Sequence, residues 1–227
     1  MSLILSIETA TPTCSVALHA GAKLIAVQSL NVANSHAESL LLTIDHLFSI
    51  APYDKKDLAA VAVSGGPGSY TGLRIGTATA KGLCYALNIP LIAIGTLEAM
   101  AHGMQPYNTA RALLCPMIDA RRMEVYCLLV DAQGKMLEAP HPQIIDTNSF
   151  QDRLADYPIL FFGDGAAKCK PLLGVHPYTT FIEDIYPSAQ HIGALAYAKF
   201  HQAAFEDLAY FEPSYLKPFQ GKPASIQ

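Results

Sequence analysis

The feature that most constrains the fold is a succession of elements that occurs twice along the chain. In each copy an apolar strand ends in an acid, a short loop follows, and a hairpin with a glycine-containing turn comes next. The first copy comprises residues 3–7, Glu8, and strands 14–19 and 24–30; the second comprises residues 112–118, Asp119, and strands 124–130 and 135–138. The copies share almost no sequence identity, so the repeat is one of topology. It predicts an α/β protein with two lobes.

This duplicated unit resembles the two-lobed fold of actin, sugar kinases and Hsp70-type ATPases (the ASKHA, RNase H-like fold). We expect a first lobe at 1–105 with the glycine-rich turn and two docking helices. A smaller second lobe spans 106–227, with the C-terminal helix and tail packing back on the first. In that superfamily nucleotide lies between the lobes, beside one acid from each. Here those acids are Glu8 and Asp119, although the fold alone does not determine a function.

The loops behind the two acids are poorly suited to phosphate. Enclosing a triphosphate needs backbone N–H groups at close range, which glycine usually provides. The first loop, 9–13, has no glycine and contains Pro12, and the second, 120–122, carries two arginines. The sequence therefore predicts ordinary strand-end acids or a remnant site rather than a working ATPase. Residual nucleotide contacts, if the site survives, would come from Glu8, Thr9, Gly66, Gly68 and Asp119.

The most distinctive segment is the glycine-rich run 64–76, where an apolar strand passes into a helix predicted over 71–88. Exposed amides at such a helix start can bind an anion, but no Gly-Lys-Ser/Thr follows as in a P-loop. Gly72, Gly76 and Ala80 are spaced four apart, and Ala78, Gly82 and Ala86 form a second small-residue stripe. Glycine weakens a helix, which favours close packing as the compensation. Phosphate contact and close packing both remain open.

A second predicted helix, 35–50, carries more apolar surface than one core-facing stripe requires. Ser35 and Glu38 have capping-box spacing, Pro52 ends the helix, and Leu42 falls off the core stripe. His36 has no second histidine four residues on, where Leu40 stands, so no metal site is expected. We expect His36 on the surface or in an interface.

Composition limits the partners and the compartment. The net charge of −4 and the scattered basic residues argue against a chain that binds nucleic acid alone. Five cysteines without metal or redox spacing predict buried, reduced thiols. No apolar run is long enough to span a membrane, and the opening residues lack the features of a signal peptide. We therefore expect a cytoplasmic protein.

Several segments together resemble the TsaB (YeaZ) family, a subunit of the bacterial machinery that makes N6-threonylcarbamoyladenosine (t6A) at position 37 of tRNA. The matching segments are Ile-Glu-Thr-Ala-Thr at 7–11, Cys-Ser-Val-Ala-Leu at 14–18, His-Ala-Glu-Ser-Leu-Leu at 36–41, Gly-Pro-Gly-Ser-Tyr-Thr-Gly-Leu-Arg-Ile-Gly at 66–76, Asp-Ala-Arg-Arg-Met-Glu-Val-Tyr at 119–126 and Pro-Ser-Tyr-Leu-Lys at 213–217. Two positions depart from the usual pattern: Glu8 replaces an aspartate and Lys217 an arginine.

The resemblance implies a non-catalytic scaffold subunit that dimerises with the catalytic paralogue TsaD, recruits the ATPase TsaE and meets tRNA only through the complex. It also implies a homodimer when the chain is alone, ATP or ADP at the partner interface, and no metal. The implied interface residues are His36, Glu38, Leu41, Leu42, Asp45, Arg74, Thr77 and Lys81. Two alternatives remain, an independent kinase or ATPase of the same fold and a metalloprotease.

Overall fold

The computed structural model describes residues 2–32 and 35–217, which form two five-stranded sheets and the helices around them. The first sheet contains β1 (Leu3–Glu8), β2 (Thr13–Ala20), β3 (Lys23–Asn31), β4 (Leu58–Ser64) and β5 (Leu91–Ile94). The second contains β6 (Leu113–Asp119), β7 (Glu124–Val130), β8 (Met136–Ile144), β9 (Ile159–Phe162) and β10 (Thr179–Ile182). The helices are α1 (His36–Ile50), α2 (Tyr70–Leu87), α3 (Thr96–Met104), α4 (Gln151–Leu154), α5 (Ala166–Leu173) and α6 (Ala189–His201).

The two sheets have the same topology, which confirms the predicted duplication. Their strand orders are β3-β2-β1-β4-β5 and β8-β7-β6-β9-β10. In each, the central strand pairs antiparallel with the hairpin and parallel with the next strand along the chain. Glu8 and Asp119 are therefore equivalent, since each ends the central strand of its sheet.

Each sheet is covered on both faces, which explains the continuous apolar runs of its central strands. On the first sheet, Leu5 and Ile7 point into the core beneath α1 and α2, while Ile4 points into the core shared with α6. On the second sheet, Met117 faces the core on the side of α5, and Leu114 faces the core formed with α3. All five cysteines are buried and free, as the sequence predicts.

The sequence reading differs from the structure at several elements. Helices α3, α4 and α5 and strand β10 were not predicted, and β8 continues to Ile144 through Pro140 and Pro142. Proline is tolerated there because β8 is an edge strand that needs no ladder bond on its outer side. The C-terminal helix expected from the sequence is α6, which ends at His201.

The predicted capping box at the start of α1 is wrong. Ser35 has φ −102° and ψ −2°, a helical conformation in which its side chain makes no capping bond. Its hydroxyl donates instead to the Val32 carbonyl oxygen at 2.8 Å. The Glu38 amide and the Ser39 hydroxyl both donate to the Ser35 carbonyl oxygen, so the Ser35 backbone rather than its side chain starts this helix.

The glycines of α2 allow the loop after β1 to lie directly on the helix. A Cβ atom on Gly72 would lie 2.1 Å from the Thr9 carbonyl oxygen, and one on Gly76 would lie 2.3 Å from the Thr9 hydroxyl. Gly68, just before the helix, meets the Ala10 carbonyl oxygen in the same way, at 2.4 Å. The Ser69 amide also donates to that oxygen, at 2.7 Å. The close-packing interpretation of this stripe is confirmed.

Alanine substitutions at two glycines of α2 test this packing. Gly72→Ala should destabilise the fold by roughly 1–3 kcal/mol, because its methyl group collides with rigid backbone. Gly82→Ala is the matched control, since nothing lies within 4 Å of its Cβ position, and it should stabilise the fold by up to about 1 kcal/mol. Urea denaturation of both variants measures the difference. Equal effects at the two sites would contradict the packing described here.

Candidate functional site

The two strand-end acids lie in very different environments. Glu8 is fully buried, whereas Asp119 is exposed. One carboxylate oxygen of Glu8, Oε1, accepts a hydrogen bond from the Ala10 amide at 2.7 Å. The other, Oε2, has no hydrogen-bond partner in the described part of the chain. The sequence predicts both acids at the cleft between the lobes, yet only Asp119 reaches solvent.

Burial raises the pKa of Glu8 to about 7, from an ordinary value of 4.5. Removal from water disfavours the charged form, and the bond from the Ala10 amide only partly offsets this. Near neutral pH a large fraction of Glu8 is therefore uncharged. An uncharged, enclosed carboxyl attracts a cation weakly, so Glu8 is a poor ligand for a metal-bound triphosphate.

Asp119 is already engaged by neighbouring groups. Lys168 forms an ion pair with its carboxylate, and the Arg121 amide donates to Oδ1 at 2.8 Å. The Asp119 amide donates to Asp164 Oδ1 at 3.1 Å. Asp164 is itself partly buried, and burial raises its pKa above the ordinary value. This corner of the second sheet is thus an internally satisfied network.

The second loop adopts a left-handed conformation without glycine. Arg121 and Arg122 have φ angles of 69° and 46°, respectively. Such a conformation costs a residue with a side chain on the order of 1–2 kcal/mol. The Ala120 amide donates to the Glu124 carbonyl oxygen, and the Arg121 amide to Asp119. These two amides are therefore not free to bind phosphate.

The chain's own C-terminal tail lies against the glycine-rich turn. The Ser214 amide donates to the Gly65 carbonyl oxygen at 2.8 Å, and a Cβ atom on Gly66 would lie 2.6 Å from the Ser214 carbonyl oxygen. Further along, Lys217 pairs with Glu124 of the second sheet. With Gly68 pressed on Ala10, both glycines proposed as nucleotide contacts are in contact with protein.

The residues predicted for a partner interface divide by exposure. Glu38, Leu41, Leu42, Asp45 and Arg74 are exposed on α1 and α2, and Lys81 is half-buried. Thr77 is buried. The prediction that His36 lies on the surface is wrong: its ring is buried, and Nε2 lies 2.8 Å from the Thr11 carbonyl oxygen, so it stabilises the first loop.

Two features of this face were missed in the sequence. Tyr85 is 83% exposed and lies beside the exposed stripe of Ala78, Gly82 and Ala86. Because Tyr85 follows Lys81 by four residues on the same helix, the sequence could have predicted its exposure. The tail also forms a groove of about 270 Å³ with α2, lined by Arg74, Lys81 and Tyr215 among others. Nothing in the local sequence of α2 indicates this groove, because its second wall comes from a distant segment.

Residues 2–32 and 35–217 contain neither a cluster of metal ligands nor a membrane-spanning helix. No group of three or more His, Cys, Asp or Glu side chains there could hold a metal ion. No helix in residues 2–32 and 35–217 combines the length and apolar character that crossing a bilayer requires.

The pKa of Glu8 predicts a specific dependence of stability on pH. Because the folded-state pKa is raised, the proton stabilises the fold at low pH, and this stabilisation is lost as pH rises from about 4.5 to about 7. We therefore compare the unfolding free energy of the Glu8→Gln variant with that of the unsubstituted chain. The difference between them should shift in favour of the variant by about 2 kcal/mol from about pH 5 to about pH 8. Denaturation at both values measures this. A difference that does not change with pH would contradict the buried, titrating carboxyl.

Comparison with protein families and curated proteins places this geometry among known relatives. The family model described as TsaD, tRNA N6-adenosine threonylcarbamoyltransferase, matches residues 27–225. The tRNA threonylcarbamoyladenosine biosynthesis protein TsaB of Bacillus subtilis is 31% identical over 196 residues, which cover 85% of this chain and 80% of that protein. The TsaB of Escherichia coli is 38% identical over 123 residues, 54% of this chain and 52% of that protein.

Solved structures similar to this chain include a protein described by the same family name. A Pseudomonas aeruginosa protein described as similar to the peptidase YeaZ superposes with a TM-score of 0.80 at 26% identity, over 96% of this chain and 100% of that one. The activator of the 2-hydroxyisocaproyl-CoA dehydratase from Clostridium difficile, solved with bound ADPNP, has a TM-score of 0.52 at 9% identity, over 90% of this chain and 98% of that one. This second likeness shows the fold alone, and it agrees with the predicted actin-like class. Taken with the duplicated sheets and the glycine-faced helix, these matches show that the chain belongs to the TsaB (YeaZ) family.

Proposed function

We propose that this chain is a non-catalytic scaffold subunit required for threonylcarbamoyl transfer to adenosine 37 of tRNA. In this role it dimerises with a TsaD-like catalytic paralogue and recruits a TsaE-like ATPase. The names of the relatives support the pathway. The observation that carries the scaffold role is that α1 and α2 expose apolar side chains, whereas Glu8, the acid at the end of β1, is buried.

The contacts around the two acids support a role without independent catalysis. Glu8 has no access to solvent, and Asp119 is paired with Lys168. The glycine-rich turn is covered by Ser214 and Ala10, so its glycines leave little room for a triphosphate. These contacts favour a scaffold over an independent ATPase of the same fold.

The exposed face of α1 and α2 has the composition of a protein interface. On α1, Leu42 is 69% exposed and Leu41 is 55% exposed. On α2, Tyr85 is exposed close to the small residues Gly82 and Ala86. Small residues allow close approach of another helix, and exposed leucine and tyrosine supply apolar area. Glu38 and Asp45 on α1 and Arg74 on α2 add charged groups that can orient a partner. The same face would serve a homodimer when the chain is alone.

A nucleotide at the partner interface is compatible with this face. The groove between α2 and the tail presents Arg74 and Lys81, which can attract phosphate. It also presents the rings of Tyr70 and Tyr215, whose centroids are 4.7 Å apart. In this proposal, ATP or ADP is bound there by the assembled complex rather than in the closed cleft between the lobes.

A reconstituted transfer assay tests the scaffold role. Threonylcarbamoyl transfer to tRNA is measured with the TsaD-like partner and TsaE-like ATPase, with and without this chain. We expect transfer to depend on the chain, and Glu8→Gln to leave that dependence intact because the residue has no part in chemistry. Full transfer without the chain would refute the scaffold proposal.

A charge placed on α1 tests the docking face. Leu42→Asp should weaken association with the partner at least about tenfold, since it introduces a charge into an apolar contact. The fold should be unaffected because the side chain is 69% exposed. Val175→Asp, at a residue 79% exposed in the second half of the chain, is the matched control and should bind normally. Titration calorimetry with the partner gives both affinities, and equal values would contradict this surface.

A further inference from the structure

The turn between β6 and β7 exposes two adjacent arginines whose side chains make no hydrogen bond or ion pair in the described part of the chain. Arg121 and Arg122 are both exposed at the end of the second sheet. Neither guanidinium forms a hydrogen bond or an ion pair within residues 2–32 and 35–217. Every other arginine of the chain except Arg111 has a side-chain partner there: Arg74 bonds to Tyr70 and Arg153 to Glu138.

The nearby carboxylates cannot neutralise these two charges because other cations hold them. Asp119 is paired with Lys168, and Glu124 is paired with Lys217. Lys168 also donates to the Glu124 carbonyl oxygen at 2.6 Å, which fixes it between the two acids. Asp164, the remaining acid, receives the Asp119 amide, and burial raises its pKa. The turn therefore carries an excess positive charge on a chain whose net charge is −4.

The backbone of the turn gives a second reason to look for a role of these side chains. Both residues have left-handed φ angles, a conformation that glycine adopts without strain. Two arginines occupy it instead, so the turn is strained while it displays two guanidiniums to solvent. Positive φ angles also occur at Arg111 and Phe150, so strain alone assigns no role; at this turn it coincides with two adjacent exposed charges.

We propose that Arg121 and Arg122 bind the sugar-phosphate backbone of RNA, which on the function proposed above is the tRNA substrate. A guanidinium matches the phosphate group with two parallel hydrogen bonds. The two side chains stand on an exposed turn, an arrangement that fits successive phosphates of a polyanion better than one enclosed small ligand. Two contacts alone bind weakly, which agrees with an acidic chain that meets RNA only within a complex.

The salt dependence of tRNA binding by the assembled complex tests this proposal. Each phosphate contact contributes a slope of about −0.7 to −0.9 to the plot of log affinity against log salt concentration. Replacing both residues, Arg121→Gln with Arg122→Gln, should make the slope shallower by roughly 1.4–1.8 and lower the affinity about tenfold near 0.1 M salt. Fluorescence anisotropy with labelled tRNA gives both quantities.

Arg111 provides a matched control. It is exposed, has a φ angle of 51°, and precedes β6, whereas the double arginine follows that strand at its opposite end. Arg111→Gln should leave both the affinity and the salt slope unchanged. A loss as large as that of the double variant would overturn the assignment, because it would show a general effect of charge.

Glycine at both positions separates binding from folding. Arg121→Gly with Arg122→Gly removes the backbone strain, so the melting temperature should equal or exceed that of the unsubstituted chain while tRNA affinity falls as in the glutamine variant. Unchanged affinity and slope in both double variants would refute the RNA contact. The scaffold proposal is judged separately, by whether transfer depends on the unsubstituted chain, so either idea can fail without the other.

Discussion

The contact on which the rest of this structure depends is the packing of the loop after β1 against the glycine face of α2. Gly72 and Gly76 let the backbone and hydroxyl of Thr9 lie where a Cβ atom would otherwise stand, and Gly68 does the same for Ala10. This contact closes the loop over Glu8, which loses access to water, and burial raises its pKa to about 7. It also commits one face of α2 to the core, while Ala78, Gly82 and Tyr85 of the same helix are exposed.

The duplicated topology gives two equivalent acids, and their surroundings separate them. In the first sheet the acid is enclosed, and desolvation raises its pKa. In the second, the acid is exposed, is paired with Lys168, and is followed by a turn of two arginines. The C-terminal tail connects the two halves, from Ser214 at the glycine-rich turn to Lys217 at Glu124.

Two surfaces of different chemistry remain outside this closed centre. The α1–α2 face is apolar with small residues, and the β6–β7 turn is cationic. The first surface suits a helical protein partner, which we propose to be the partner subunit. The second suits phosphate, which we propose to be that of RNA. The surfaces belong to different sheets, so a partner protein and RNA could be held by separate parts of the chain.

The sequence by itself determined the duplicated strand-acid-hairpin unit, the helices α1, α2 and α6, the buried thiols and the family, because these depend on local periodicity and on contiguous motifs. It did not indicate α3 or α5, short helices that contain Gly103 and Pro171, and it predicted a side-chain capping bond at Ser35 that the structure does not have. Only the tertiary structure decided that His36 is buried, that Glu8 is sealed, and that the tail forms a wall beside α2. Each of these depends on contacts between segments far apart in the chain, and the free energy of burial and ion pairing there is set by neighbours that no local pattern records.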